Sequence, residues 1–539
     1  MKFIHYIILV SCFCFVSADC LFAQTDEQDI DEKDIVELEQ ADSLLGGTPK
    51  DGQEVRRVIG HVRFKQKGAV MTCDSAYQYV ATNTLEAFGN VRIVQGDTLT
   101  VTGNKAFYDG NTRVAQMRGN VVLIDKTMTL YTEELDYNMN TNLAYYYTGG
   151  RIIDGDNVLV SKQGYYNTQS KLLFFKEEVN LTNPEYSLSS DTLQYHTITK
   201  VAYFKGPTKI VGKSGDLYTT NGTYNTVSQQ STFIGRTTID YDKYTLTGDS
   251  VYYDKLKEIG IARVNVELVA KEDSTIIEGD IGTYNGIEGI SKVYGRPVMK
   301  NIASGDTLFM TADTLVSVDD TIKNSRKLFA YNNVKIFKSD LQGKCDSLLY
   351  NFTDSTIYFY RNPVLWSSGN QLLADSIHIQ MANNKISRMY LRTNSFVVSQ
   401  DSIENFNQIK GRRMTTYFTD NKVSSVFVDG NAESLYFALD EGDSVLIGMN
   451  KMLCSKMDIR FKDNKANTIK ALTTPDAVFI PPHEIEEPDR RLKGFRWRIE
   501  ERPQKTDVLI RTQLPPLKPV KKQKAEKPQD ILGISNPRR

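Results

Sequence analysis

Val101-Thr102-Gly103-Asn104-Lys105-Ala106-Phe107-Tyr108-Asp109 opens a unit whose columns return every 29 residues as far as Leu268. Val101, Leu130, Leu159, Leu188, Leu217 and Leu246 form one apolar column. Gly103, Thr132, Ser161, Ser190, Thr219 and Gly248 keep the next inward position small. Tyr108, Tyr137, Tyr166, Tyr195, Tyr224 and Tyr253 follow, each before a polar residue, and Leu123, Ile152, Leu181, Ile210, Ile239 and Leu268 close the unit. A fixed period in this range is the mark of a stacked architecture, in which each unit buries its apolar face against the next.

Every unit carries two turn signals. One is the Asn/Asp position after the tyrosine, as in Asp109-Gly110-Asn111; the other lies about half a unit on, as in Asp154-Gly155 and Asn183-Pro184. Such residues accept positive φ or bond their own backbone. Two turns leave two strands per unit, each long enough to need a bend, and Gly89, Gly119, Gly206 and Gly235 stand where that bend is expected. Alternation with β-branched and aromatic residues begins near Arg57 and persists to about Ala477, with looser spacing after Leu268.

With 539 residues the chain exceeds one ordinary compact core, a limit that repeat proteins escape by adding units. The net charge of −1 hides an acidic stretch, Asp26 to Asp42, and a basic one, Arg490 to Arg539. That separation points to charged ends and not to a nucleic-acid-binding body. Lys2 and the apolar run Phe3 to Val16 read as a signal peptide, 1–23, cut after Ala23, with a lipid anchor at Cys20 and a retained anchor helix as the lesser readings; export to the periplasm is therefore expected. Residues 24–56 read as an acidic linker with a turn or two of helix around Ile35 and Leu38. Regular repeats are expected over 57–270 and irregular ones over 271–475. Ten of the fifteen prolines fall from Pro475 onward, so 476–539 reads as a disordered basic tail, with Phe495 and Trp497 as anchors for docking and the basic residues open to peripheral membrane contact.

Little in the chain suggests catalysis. The five histidines are isolated, and His196 takes a turn position filled elsewhere by Asn or Asp. Cys73, Cys345 and Cys454 are too far apart for a disulfide framework or metal-ligand spacing and read as small buried strand residues. Gly-Asp pairs such as Gly215-Asp216 and Gly248-Asp249 lack the acidic density of calcium loops and read as strand-edge turns. No catalytic residue, metal or cofactor is expected. The tyrosine column reads as a cross-strand ladder setting register, with a sugar-binding face as the other reading. The Leu and Ile columns are covered either by a facing sheet or, if two sheets splay, by a lipid that completes the core.

Gly60-His61-Val62-Arg63-Phe64, Met71-Thr72-Cys73-Asp74-Ser75-Ala76, Leu85-Glu86-Ala87-Phe88-Gly89-Asn90-Val91-Arg92-Ile93 and the run Asp97 to Asp109 resemble the OstA-like (LptA-type) family of periplasmic lipopolysaccharide-transport bridge proteins. The phrase recurs at Gly119-Asn120-Val121, from Gly248-Asp249 to Tyr253, and from Cys345-Asp346 to Tyr350. The resemblance is clear over 57–130 and diffuse to about 475. It implies an all-β, elongated antiparallel β-jellyroll opened into a V, with acyl chains in its apolar interior and end strands that pair with the next protein. The chain departs from the pattern in being longer than one bridge protomer. Its β pattern also ends at the Pro-rich tail, which argues against an outer-membrane assembly role.

The expected function is thus a non-enzymatic periplasmic lipid carrier. Its groove would comprise Val101, Leu123, Leu130, Ile152, Leu159, Leu181, Leu188, Ile210, Leu217, Ile239 and Leu246. Its partners would be lipopolysaccharide or a related lipid and other envelope transport proteins, joined by strand addition. A parallel β-helix acting on polysaccharide, and a structural envelope scaffold with a closed core, are the alternatives.

Overall fold

The structure, a computed structural model, describes residues 35–47 and 55–509 apart from residues 127, 214, 243, 272–273, 304–305, 321–324, 383–384, 421 and 463–464. The expected signal peptide, Cys20 and the tail beyond 509 lie outside the described residues. The fold is all-β: the described residues form 36 strands, three 3-10 turns and one short helix, Lys505–Leu509. Neighbouring strands pair antiparallel, which removes the parallel β-helix reading. The chain divides into two compact units, Met1–Ala144 and Tyr145–Arg539.

In the first unit the long strands Val55–Gln66, Ala69–Tyr79, Thr84–Gln95, Leu99–Asp109, Val114–Asp125 and Met128–Asn138 each pair with the next. Alternate long strands are bent at a bulge where two consecutive residues take positive φ: Gly60-His61, Gly89-Asn90 and Gly119-Asn120. Glycine leads each pair because a Cβ there would run into the neighbouring strand; at Gly89 it would meet the Asp74 carboxylate. That carboxylate accepts from Asn90 Nδ2 at 2.9 Å. The motif of a small residue followed by Asp is thereby explained: the small residue packs beneath the bulge, and the acid ties down its outer corner. The same clasp recurs in the second unit at Asn265 with Asp249, Asn333 with Asp313 and Asn394 with Asp375. Gly248-Asp249 and Gly279-Asp280 are therefore mid-strand clasps and not strand-edge turns, whereas Gly215-Asp216 does begin a strand after a hairpin turn.

Each bend divides a strand into two halves, and the halves form two walls with apolar side chains between them. On one wall Met71, Ile93, Val101, Leu123 and Leu130 succeed one another across adjacent strands. In the second unit Leu159, Leu181, Leu188, Ile210, Leu217, Ile239, Leu246 and Leu268 do the same. The two Leu/Ile columns of the repeat are one stripe, contributed by alternate strands.

Two stretches differ from expectation. Glu37–Gln40 and Ser43–Gly47 are strands that pair with Val55–Gln66, so this part of the acidic segment belongs to the sheet and is not linker or helix. One of its acids is paired locally: Glu39 lies 2.6 Å from Arg63 and 3.4 Å from Lys65. The second correction concerns residues 476–509, expected as an unfolded tail. Asp476–Ile480 adds a strand to Leu446–Lys462. Leu492, Phe495 and Trp497 then pack over the outer face formed by Val364, Trp366, Leu373, Phe396, Val398, Leu435, Phe437 and Met449. Two buried glutamines hold this strap by its main chain. Gln371 donates to Arg496 O at 2.7 Å and accepts from Arg498 N at 2.6 Å. Gln408 donates to Arg490 O and accepts from Leu492 N, both at 2.8 Å. Prolines forbid regular strand pairing but leave an extended chain whose amides and carbonyls such side chains can satisfy.

Candidate apolar binding cavity

Between the two walls of residues 152–255 lies a cavity of 470 Å³. One wall supplies Ile152, Leu159, Leu181, Leu188, Ile210, Leu217 and Ile239, seven of the expected groove residues. The others are placed elsewhere. Leu246 continues the same stripe, opposite Ile239 and Leu268, beyond the cavity lining. Val101, Leu123 and Leu130 sit in the packed core of the first unit, at most 1% exposed. There the interior is filled by Phe64, Leu85, Ile93, Met117 and Tyr137, and the space found beside Met71 and Ile93 is only 10 Å³.

The opposite wall is aromatic. Phe175, Phe204 and Phe233 line it with Leu173, Ala202, Tyr195, Tyr224 and Tyr253. The three phenylalanines recur at the same 29-residue period, so the signal was present in the sequence and went unread. Their rings are kept apart by intervening strands: Phe204 faces Gly222, which faces Phe233, and the two rings stack with centroids 6.4 Å apart. The tyrosines obey the same rule. Tyr224 lies between Ala202 and Ser231, and Tyr253 between Ser231 and Gly260. They do not form a Tyr-on-Tyr ladder; a small residue separates each from the next, which leaves room beside every ring.

At one end the cavity becomes polar. Lys200 Nζ reaches Asp154 at 3.1 Å and stands 5.9 Å from the centre of the Tyr195 ring, so this lysine spans from one wall to the other. Lys255 and Glu185 make a second such bridge, at 2.6 Å. The hydrogen bond from Lys255 holds the Glu185 carboxyl below its usual range, and the same bond, opposed by burial, raises Lys255. Burial pushes the phenols of Tyr186 and Tyr241 up to about 12, and raises Tyr195, Tyr224 and Tyr253, so all five remain neutral hydrogen-bonding groups.

The reactive residue types are occupied structurally. His196 Nδ1 accepts from Ile198 N and Thr199 N in its turn. Cys73, Cys345 and Cys454 are free and buried at the small position under bulges, and burial drives the first two thiols up to about 11 and about 12. Among the described residues no group of three His, Cys, Asp or Glu is placed to hold a metal ion, and no helix is long and apolar enough to cross a membrane.

No curated protein matches the chain. Among solved structures, the chain is similar to LptH of Pseudomonas aeruginosa, described as the LptA-homologous periplasmic component of the lipopolysaccharide transport device. Identity is 11%, the match covers 26% of this chain and 95% of that one, and the TM-score is 0.21. The family model for OstA-like protein matches residues 33–191 and 187–249, a range that takes in the packed first unit, the strands Glu37–Gln40 and Ser43–Gly47, and most of the cavity. Over residues 33–249, less than half of its length, the chain is similar to the OstA-like family.

Proposed function

We propose that the chain is a non-enzymatic periplasmic carrier that shields the acyl chains of lipopolysaccharide, or a related lipid, during transfer toward the outer membrane. The observation that carries this reading is the 470 Å³ cavity, walled by an unbroken Leu/Ile stripe on one side and spaced aromatic rings on the other. Its volume falls within the roughly 300–1,000 Å³ of ligand sites. Each methylene buried there contributes about 0.8 kcal/mol before the cost of ordering the chain is subtracted. The wall-to-wall bridges of Lys200 and Lys255 put paired charges where a head group would emerge, so acyl chains lie inside and the polar end meets solvent. In this reading the two walls are the arms of a V-shaped jellyroll. End strands add to partner transport proteins by main-chain pairing; Asp476–Ile480, with Val478 and Phe479 more than half exposed, is one such strand. The basic residues beyond 509 would contact membrane.

Photocrosslinking tests this. A photoreactive residue at Leu188 or Leu217 is expected to label lipopolysaccharide, and one at Leu123 is not. Absence of labelling at both cavity positions would sink the carrier reading. A structural scaffold has one observation in its favour, the filled core around Leu123 and Leu130, and it predicts silence at all three positions.

A further inference from the structure

We infer that the second unit holds another, separate compartment, at residues 367–469, that takes an amphiphile with an uncharged, hydroxylated head group. The inference extends the carrier reading, since it assumes that the splayed walls of this fold accept acyl chains. A cavity of 430 Å³ lies there, with Leu372, Met389, Val397, Ile409, Val426 and Ile459 contributing its apolar surface. No residue lines both cavities; the first extends only to Lys255 and the second begins at Ser367. Between these limits the core is filled. Met299, Met310, Ile336 and Leu365, successive or near-successive members of the same stripe, are buried in one packed cluster. An acyl chain cannot thread such packing without displacing it, so the two compartments load independently.

Their polar ends differ in chemistry. The first is lined by Lys213 and Lys255 together with Asp154, Glu185 and Asp216. The second is lined by Ser367, Asn370, Ser399, Ser402 and Asn407 and by two acids, Asp401 and Asp443, and none of its lining residues is Lys, Arg or His. Two turns meet at this end, where the Ser402 hydroxyl donates to the Asp443 carbonyl. Asp401 anchors its own turn by accepting from Ile403 N at 3.1 Å and Asn405 N at 2.8 Å. A phosphorylated head placed here meets carboxylates, and no lining residue offers it a cation, so it loses hydration without compensation from the lining. A sugar-like head exchanges water for hydroxyl and amide partners at little net cost. The lining is also held by the strap. Gln408, next to Ile409, is fixed to the strap through Arg490 O and Leu492 N, so the compartment is preorganised.

The test uses the full chain carrying a photoreactive phenylalanine derivative at Val397 or at Leu217. The probes are dodecyl maltoside and dodecyl phosphate below their micelle thresholds, which share one acyl chain. At Val397 maltoside labelling is expected to exceed phosphate labelling about ten-fold, roughly the discrimination that one lost polar pairing produces. Asp443→Asn, which tolerates the positive φ of this position, is expected to raise phosphate labelling at Val397 and leave Leu217 unchanged. Maltoside labelling at Leu217 with none at Val397 overturns the second compartment while the first stands. Labelling at Val397 with none at Leu217 supports it and removes the first cavity from the carrier reading. Equal labelling by the two probes at Val397 overturns the head-group selection. If substitution at Val397 unfolds the chain, as circular dichroism would report, Ile409 serves as the second attachment point.

Discussion

Residues 84–138 and 172–254 are written in the same repeat, yet the walls meet in the first and stand apart in the second. The stripe residues do not account for the difference, since Leu130 and Leu217 are alike in type and stand in the same column, opposite Leu123 and Ile210 respectively. The contrast lies in what joins the walls. In the closed region a tyrosine hydroxyl bonds directly to a glutamine of the other wall: Tyr108 to Gln66 and Tyr137 to Gln95. Gln66 also donates to Gly110 O at 2.9 Å, a second tie. In the cavity region the same tyrosine column has a lysine between it and the far wall, with Lys200 standing between Asp154 and Tyr195. A direct hydrogen bond draws the walls to contact; a lysine side chain holds them a spacer apart.

The sharpest way to break this comparison is to truncate the stripe in both places. Leu123→Ala should cost about 2–5 kcal/mol in denaturant unfolding, because it leaves a hole in a packed core. Leu217→Ala should cost less than half as much, because its side chain already borders the cavity. Equal losses would mean that the two interiors do not differ. Enlargement should invert the pattern. Leu123→Phe overpacks and should destabilise by roughly 1–3 kcal/mol, whereas Ile210→Phe should be tolerated and should displace bound lipid in a crosslinking competition.

These experiments bear on what could be read from the amino-acid sequence. The period, the paired strands and the Leu/Ile columns were legible because side-chain alternation and turn residues repeat with them. So were the bends at Gly89, Gly119, Gly206 and Gly235, where φ is positive. Cavity extent was not legible, because it depends on contacts such as Lys200 with Asp154, 46 residues apart, which no local pattern encodes. In the sequence Glu39 is one acid in a charged run, and its partner Arg63 lies 24 residues away. The strap was hidden for the same reason: Gln371 and Arg496 are 125 positions apart, and a lone glutamine carries no periodic signal.

Removing the direct tie should matter less than truncating the core. Tyr108→Phe removes the hydroxyl that donates to Gln66 and is expected to cost about 1–3 kcal/mol. Tyr224→Phe is expected to be near neutral for stability. The smallest effect concerns pH. The Glu185 carboxyl is depressed by Lys255, so its contribution is complete above the ordinary carboxylate range and is lost as pH falls through the depressed value. Probe release from the cavity should therefore be flat from neutral pH down to that range and change below it. Glu185→Gln should abolish the change. A release profile that moves near neutrality would point to a different group.

The bulge clasps have a consequence for how such a chain changes length. Several bends are made on one strand but tied by an acid on its neighbour, as Asn90 is by Asp74 and Asn265 by Asp249. A unit clasped in this way carries half of its own fastening and half of the adjoining one. Removing or duplicating a whole period keeps bends and their partner positions facing one another, because the new neighbours stand in the same register. Removing half a period sets bend against bend and acid against acid, and exchanges the inward faces of all that follows. The array is modular in one grain size only, and its number of units can drift without disturbing the cross-section of either interior.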